Sequence, residues 1–403
     1  MKVLVHDHSG HPFQAELSRE LARRGHEVTH SYVSGYVSGK GRLEALPGER
    51  ITFVGIGGEK KVEQRRYLSR LWREVTRGFA LVRHVLQVNP DIVVLSNVQI
   101  PTMVIFAFVM SVLRRPWVLW HQDVYAIALR NLAGTKLSKR FRVVARLFWI
   151  AERYCARRAA AVVAIADSFV PVHEQWGTLA KTTVIPNWAP IDEITPRERD
   201  NAWASAHGLD SRPRLVYSGT LGFKHNPELL TGLAAAVSSL GIPVDLVVVS
   251  ETVTEPVLRS DAAARGVNLT MLPFQPYADL PLVLGAADVL LVLLEKDAGA
   301  FSVPSKTLSY LCAGRPILGF VPAENLAAEL IAESGGCVLP PEASSVPDAA
   351  AWVAGVLADP TRAAQIGTAS RELAEREFNL ATIADRFETI LNESRGSRPA
   401  HTH

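Results

Sequence analysis

Short, almost wholly apolar runs recur along this chain, bounded by polar residues, glycine or proline, with helical patterns between them. In the first half they are Val3–Val5, Ile92–Leu95, Trp117–Trp120 and Ala161–Ile165. In the second they are Leu215–Tyr217, Leu246–Val249, Leu269–Leu272, Val289–Leu294 and Ile317–Phe320. Such runs read as strands covered on both faces. Strands alternating with helices need crossover connections, so the expected class is α/β with parallel sheets. Phe13, Leu17 and Leu21, spaced by four, mark a helix that Gly25 stops.

The halves share this grammar and meet at Pro186–Arg197, where Pro186, Pro190 and Pro196 exclude a continuous helix or a central strand. The reading is two Rossmann-like doubly wound domains, 1–186 and 201–375, joined by a linker at 187–200. A cleft is expected between the carboxyl edges of their sheets, where ligands of such folds sit. Residues 376–395 read as a helix returning toward the first domain, and 396–403 as a disordered tail.

An apolar fraction of 48% and a charged fraction of 21% describe a globular chain. A net charge of +3 calls for no nucleic acid. Three scattered cysteines, Cys155, Cys312 and Cys337, supply neither a disulfide framework nor a zinc site. The first residues read as a strand and not as a leader, and Met103–Leu113 is too short to span a bilayer. A cytoplasmic location is the expectation, with Met103–Leu113 a buried helix.

Four polar clusters follow strands. Val303–Pro316 lies between two apolar runs, and a helix opening at Ser305 would aim free N–H groups at an anion, with Lys306 beside them and Pro304 before. That arrangement suits a diphosphate. The segment Tyr217–Glu228 holds Ser218, Gly219 and Lys224, where glycine lets backbone approach an anion and lysine adds charge. It does not match the P-loop pattern, and by itself it is also an ordinary strand-to-helix turn. His6–Pro12 carries Gly10 and three histidines; it reads as a phosphate- or sugar-facing turn or as a polar helix cap, with no partner set for a metal. His121 and Asp123, two apart after Trp117–Trp120, would project from one side and could bind sugar hydroxyls or exchange a proton. The other reading has Asp123 capping the next helix.

Taken together, these residues resemble the family-4 retaining glycosyltransferases of the GT-B fold. Ser9–Gln14, Pro186-Asn187-Trp188, the glycine turn with lysine, Pro304-Ser305-Lys306 and Gly314-Arg315-Pro316 carry the likeness, over about residues 1 to 390. They are similar to the bacterial branch that builds colanic-acid, O-antigen or capsule polysaccharides. The resemblance implies a nucleoside-diphosphate sugar held mainly by the second domain. Gly219, Lys224, Ser305 and Lys306 would hold the diphosphate, Phe274 would sit near the base, and His121, with Asp123 beside it, would contact the donor sugar. It implies retention of anomeric configuration and no metal or other cofactor. The chain departs from the family where two carboxylates are usual, eight apart: Phe301 and Ser309 stand there. Ser309 would have to serve the ribose in place of the usual glutamate. For Phe274 the alternative is a core phenylalanine.

Basic residues cluster in Lys60–Arg77 and Lys136–Arg158, the second interleaved with Phe141, Val144, Leu147, Phe148, Trp149 and Tyr154. A basic amphipathic helix of this kind either packs its apolar stripe on the domain or lies on an anionic bilayer. The second alternative suits an enzyme meeting a glycan or polyprenyl-diphosphate-linked acceptor. Two other readings share the architecture: a sugar-nucleotide 2-epimerase and a non-catalytic nucleotide-sugar-binding partner.

Overall fold

Valine, isoleucine and leucine fill the central strands so completely that Ile92–Ser96, Asp245–Val249 and Val289–Leu293 are buried at every position. Strands of this composition are stable only between two layers of helices. The computed structural model describes residues 1–34, 43–57, 67–127, 139–209, 211–221, 226–251, 254–294 and 305–396. Two compact units emerge: Met1–Asn187 with the chain from Leu380 onward, and Trp188–Asn379.

The first unit contains β1 (Lys2–Asp7), α1 (Pro12–Arg23), β2 (Glu27–Val33), β3 (Ile51–Ile56), α2 (Tyr67–Val88) and β4 (Ile92–Ser96). There follow α3 (Ile100–Val112), β5 (Trp117–His121), α4 (Lys139–Arg158), β6 (Ala161–Ala164), α5 (Val170–Trp176) and β7 (Thr182–Val184). The sheet order is β3-β2-β1-β4-β5-β6-β7, with every neighbouring pair parallel. Parallel crossovers are right-handed. The chain moves one way from β1 to β2 and the other way from β3 to β4, β5 and β6. Hence α1 covers one face, while α2, α3 and α4 lie side by side on the other.

The second unit contains α6 (Ala202–Ala206), β8 (Arg214–Ser218), α7 (Glu228–Ser239), β9 (Asp245–Val249), α8 (Glu255–Arg265), β10 (Asn268–Leu272), α9 (Leu280–Gly285) and β11 (Val289–Leu293). It continues with α10 (Ser305–Ala313), β12 (Ile317–Phe320), α11 (Leu326–Glu333), β13 (Cys337–Leu339), α12 (Val346–Ala358) and α13 (Pro360–Glu377). Its order is β10-β9-β8-β11-β12-β13, again parallel. Alternate residues serve opposite faces: Leu215, Tyr217, Val248 and Leu291 enter one core, Val216, Val247, Val249 and Val292 the other. The Pro-rich stretch is no free spacer, since Ala189 and Ile194 lie in the second core and Ala189 N–H donates to Phe378 O at 2.9 Å.

The last helix, α14 (Leu380–Gly396), belongs to the first unit. Phe387 meets Trp120 edge-on at 4.8 Å, Arg24 pairs with Asp385 and Glu388, and His26 bonds Glu388 at 2.8 Å. Met103–Leu113 is helical as expected, but only one side is buried: Met103, Phe106 and Met110 face inward while Phe108 and Val112 are exposed.

Strands β2, β3, β7 and β13 carry no long apolar run, and the apolar-run criterion did not find them. In β2 the buried positions include Thr29, His30 and Ser31. Part of their polarity is met inside: His30 Nδ1 bonds Ser18 Oγ at 2.8 Å, and His6 Nδ1 bonds Ser31 Oγ at 2.9 Å.

Burial holds several histidines of the first unit neutral. It pushes His30 and His121 down to about 3, His173 to about 4, and lowers His6 and His84 as well. Unfolded histidine takes up its proton near 6.5, so unfolding binds protons below that pH and acid favours the unfolded chain. Glu152, raised by burial to about 7, acts in the opposite sense and offsets one histidine. The first unit should therefore lose at least about 1.4 kcal/mol of stability per pH unit between pH 6.5 and 5. Denaturant midpoints followed by tryptophan fluorescence across that range check this; a flat or rising profile contradicts it.

Candidate functional site

In both sheets the chain order reverses beside the first strand of the unit, between β1 and β4 and between β8 and β11. Loops leaving the two sides diverge there and leave a crevice at the carboxyl edge. Each unit places polar residues of the sequence analysis at that edge.

In the second unit β8 ends at Ser218 and turns through Gly219 at φ +143°, a conformation closed to other residues without strain. Close approach excludes a side chain as well, because a Cβ there would stand 3.1 Å from Lys306 Nζ. Helix α10 brings Lys306 and Tyr310 to the same place, since residues four apart share a helix face. The Tyr310 hydroxyl accepts from Ser218 N–H at 2.8 Å and donates to Ser218 O at 3.0 Å. One phenol thereby pins both backbone groups at the end of β8. Lys306 Nζ donates to the Tyr217 hydroxyl at 2.6 Å and lies 4.2 Å from that ring's centroid. The Tyr217 hydroxyl in turn donates to Thr220 O at 2.7 Å. Burial pushes the Lys306 ammonium down to about 8, and among the described residues no carboxylate compensates its desolvation.

Ser218, Gly219, Phe274, Lys306 and Ser309 line one pocket of about 260 Å³. Val249, Leu280, Val283 and Leu284 form its apolar side, and Gln275, Tyr277 and Tyr310 complete it. Phe274 is 46% exposed, which removes the core-phenylalanine reading. Gln275 accepts from Trp203 Nε1 at 3.1 Å, and the Tyr277 hydroxyl donates to Glu193 at 2.7 Å. Lys224 and Pro304 lie outside the described residues. Ser305 opens α10, placing that helix's N-terminal amides at the strand edge, but its side chain lies outside the described set. Sequence reasoning missed Tyr217 and Tyr310. The spacing of Lys306 and Tyr310 by one turn was the signal for the second; nothing in the sequence announced the first.

In the first unit, Asp7 at the end of β1 accepts from Ser9 N–H at 3.3 Å, from His11 N–H, and from Asn97 Nδ2 at 3.1 Å. These bonds fold the 8–11 loop, with Gly10 at φ +75°. Burial raises the Asp7 carboxyl. His121 ends β5 in a shell of aromatic rings, stacked on Trp176 at 5.7 Å and edge-on to Phe169 at 5.6 Å. Its Nδ1 is 3.1 Å from His173 Nε2, and His173 Nδ1 is 3.0 Å from Thr178 Oγ1. Thr178 donates its proton to His173 O at 3.2 Å, so its oxygen accepts from His173 Nδ1–H. At this contact the network gives the donor role to His121 Nδ1, and the Asp123 backbone also bonds the His121 ring. Burial holds His121 neutral.

Asp123 is exposed, its carboxyl raised by partial burial against the opposing influence of His11. It does not hold the amides of the next helical turn: Glu152 of α4 accepts from Tyr125 and Ala126 N–H, both at 2.9 Å. Gln122 and Asn187 exchange amide hydrogen bonds at 3.0 Å in each direction, tying the Pro-Asn motif to the His121 loop. Among the described residues no three His, Cys, Asp or Glu side chains converge as metal ligands.

Residues 11–188 match the model of the glycosyl transferase 4-like domain. No curated protein sequence matches the chain significantly. The fold is shared with solved structures over almost its full length. Sucrose-phosphate synthase from Thermosynechococcus elongatus is 15% identical, with TM-score 0.72 over 97% of this chain and 98% of that one. HepE of Anabaena, in complex with UDP and glucose, is 16% identical, with TM-score 0.70 over 98% and 100%. WaaG, a glycosyltransferase involved in lipopolysaccharide biosynthesis, is 16% identical, with TM-score 0.67 over 98% and 100%. The fold is that of the GT-B proteins. Carrying a glycosyl transferase 4-like domain on it, the protein is a glycosyltransferase.

Replacing Tyr310 with phenylalanine would remove the partner of the Ser218 N–H and C=O at a half-buried strand end. Urea unfolding should show the second unit about 1–3 kcal/mol less stable; an unchanged midpoint would mean the phenol pins nothing.

Proposed function

We propose that the protein transfers a sugar from a nucleoside-diphosphate sugar to a lipid-linked glycan, with retention of configuration, in cell-surface polysaccharide biosynthesis. The observation that carries this reading is the convergence of Ser218, Gly219, Lys306, Ser309 and Phe274 on one pocket at the switch point of the second sheet. HepE, of the same fold, was solved with UDP and with UDP-glucose, and WaaG is a glycosyltransferase involved in lipopolysaccharide biosynthesis.

In this reading the second unit is the donor domain and the first the acceptor side. The α10 N-terminus, Lys306 and Gly219 meet the diphosphate, with Ser305 and Lys224 as further donors to it. Phe274 offers its exposed ring to the base, and Ser309 a hydroxyl to the ribose. As the glycosidic bond breaks, charge builds on the departing diphosphate. Preorganised N–H groups and the Lys306 ammonium stabilise that charge, so the reading calls for no metal. His121 meets a sugar hydroxyl, which orients the donor, and Asp123 stands beside it. Gly10 contributes backbone from the first unit. The acceptor would be met at an anionic membrane surface on the cytoplasmic side.

Lys306 also sets a pH dependence. Its pKa of about 8 in the free protein would rise beside a diphosphate, so binding takes up a proton wherever the free lysine is neutral. Nucleotide-sugar affinity should hold below pH 8 and fall about tenfold per unit above it. Calorimetry on Lys306→Ala should show affinity reduced about ten- to a hundredfold, with the alkaline fall gone. A variant that keeps wild-type affinity would end the proposal. His121→Ala should leave donor affinity nearly intact while transfer measured by product formation drops at least about a hundredfold; equal loss of both would make His121 a structural residue.

A further inference from the structure

The outer side of the α2–α3–α4 layer is where this chain keeps its exposed apolar side chains. Among the described residues, eleven of the seventeen exposed large hydrophobics lie on these helices or at the end of α3. They form stripes, not a scatter. Trp72, Phe79 and Leu86 follow one another at sevens along α2, and Phe108 and Val112 are one turn apart on α3. Leu147 and Ile150 continue the pattern on α4. Trp72 is 69% exposed, and Phe79, Phe108 and Leu147 are each 59% exposed. The three helices pack side by side, so the stripes lie on one helical layer. The opposite edge of each helix faces the sheet.

Charge on this layer has one sign outward. Arg83, Arg142 and Arg146 are exposed. The acidic side chains described on these helices, Glu74 and Glu152, are 5% and 1% exposed and turned inward. Glu74 pairs with Arg77 and accepts from Thr102 at 2.9 Å, and Glu152 holds the amides of residues 125 and 126. Aromatic and aliphatic stripes among outward arginines, with acids withdrawn, match helices that lie in an anionic lipid interface. A protein interface has no need to exclude acids so consistently. Among the described residues no helix is long and apolar enough to cross a membrane.

We infer that the outer face of α2, α3 and α4 docks on an anionic lipid monolayer. Trp72, Phe79 and Phe108 enter the headgroup–acyl boundary, and Arg83, Arg142 and Arg146 sit at phosphate level. This deepens the lipid-linked-acceptor reading by naming the surface that meets the membrane and the mode, insertion plus charge. Helix α4 then has lipid on one side. On its other side, Glu152 holds the segment that follows His121 and Asp123.

The full chain would be floated with phosphatidylcholine vesicles, with and without about one-third phosphatidylglycerol, at about physiological salt. Wild type should float with the anionic vesicles, and brominated lipid should quench its tryptophan fluorescence. Arg142→Gln with Arg146→Gln should lower vesicle affinity about 25-fold, about fivefold per arginine. Phe79→Asp with Phe108→Asp should lower it at least about tenfold, even at low salt where charge attraction is strongest. Unchanged thermal melting and nucleotide-sugar affinity in both pairs would exclude misfolding. Failure of wild type to float, or equal flotation of all variants, overturns the inference. So does a concentration-dependent dimer, seen by sedimentation, that the aspartate pair abolishes, since the face would then bind a second copy. Vesicle binding that fails while donor binding survives sinks only this inference; loss of the Lys306 effect sinks the transferase reading whatever the vesicles do.

Discussion

Two parallel strands cannot be joined by a tight turn; the chain must cross a face of the sheet and start again from the same edge. Everything functional in this molecule descends from that constraint. Each crossover returns its loop to the carboxyl edge, so polar residues scattered from Asp7 to Asn187, and from Ser218 to Tyr310, are gathered at two edges. Because right-handed crossovers run outward on both sides of β1 and of β8, each edge acquires one place where loops part. The pocket around Ser218 and Lys306 lies at such a place.

Once the topology has made the crevice, a few buried polar contacts give it shape. Tyr310 fastens both backbone groups of Ser218, and Tyr217 holds Lys306 by its hydroxyl and beneath its ring. A desolvated ammonium with no carboxylate among its described neighbours is costly, and its depressed pKa registers that cost. An incoming polyanion would relieve it. In the first unit Thr178, His173 and His121 form a chain of contacts among imidazoles that burial holds neutral. In the proposed reading one unit meets charge and the other neutral hydroxyls.

Glu152 links two features that sequence reading treated separately. It sits on the basic helix, yet it is buried and accepts the amides next to the His121 loop. Asp123, a candidate for that capping role, is left free to face solvent. The helix earns its arginines on one side and its glutamate on the other, and no count of charges along the segment distinguishes the two.

How much could be read beforehand depends on the kind of interaction. Apolar runs mark central strands because desolvation on both faces leaves few other options, so β4, β5, β8, β9 and β11 were legible, and with them the α/β class and the strand-end position of each polar cluster. The edge and polar strands β2, β3, β7 and β13 were not, since their burial rests on partners such as Ser18 for His30 that lie elsewhere in sequence. Lys306 was legible as a lysine at a helix start. Its clamp by Tyr217, 89 residues away, was not. Local composition determined the central strands, the polar turns that follow them and the helical patterns between. Only the folded chain decided which distant side chains meet, which face of α3 stays bare, and which titratable groups lose their water, because those are properties of shared space and not of neighbouring residues.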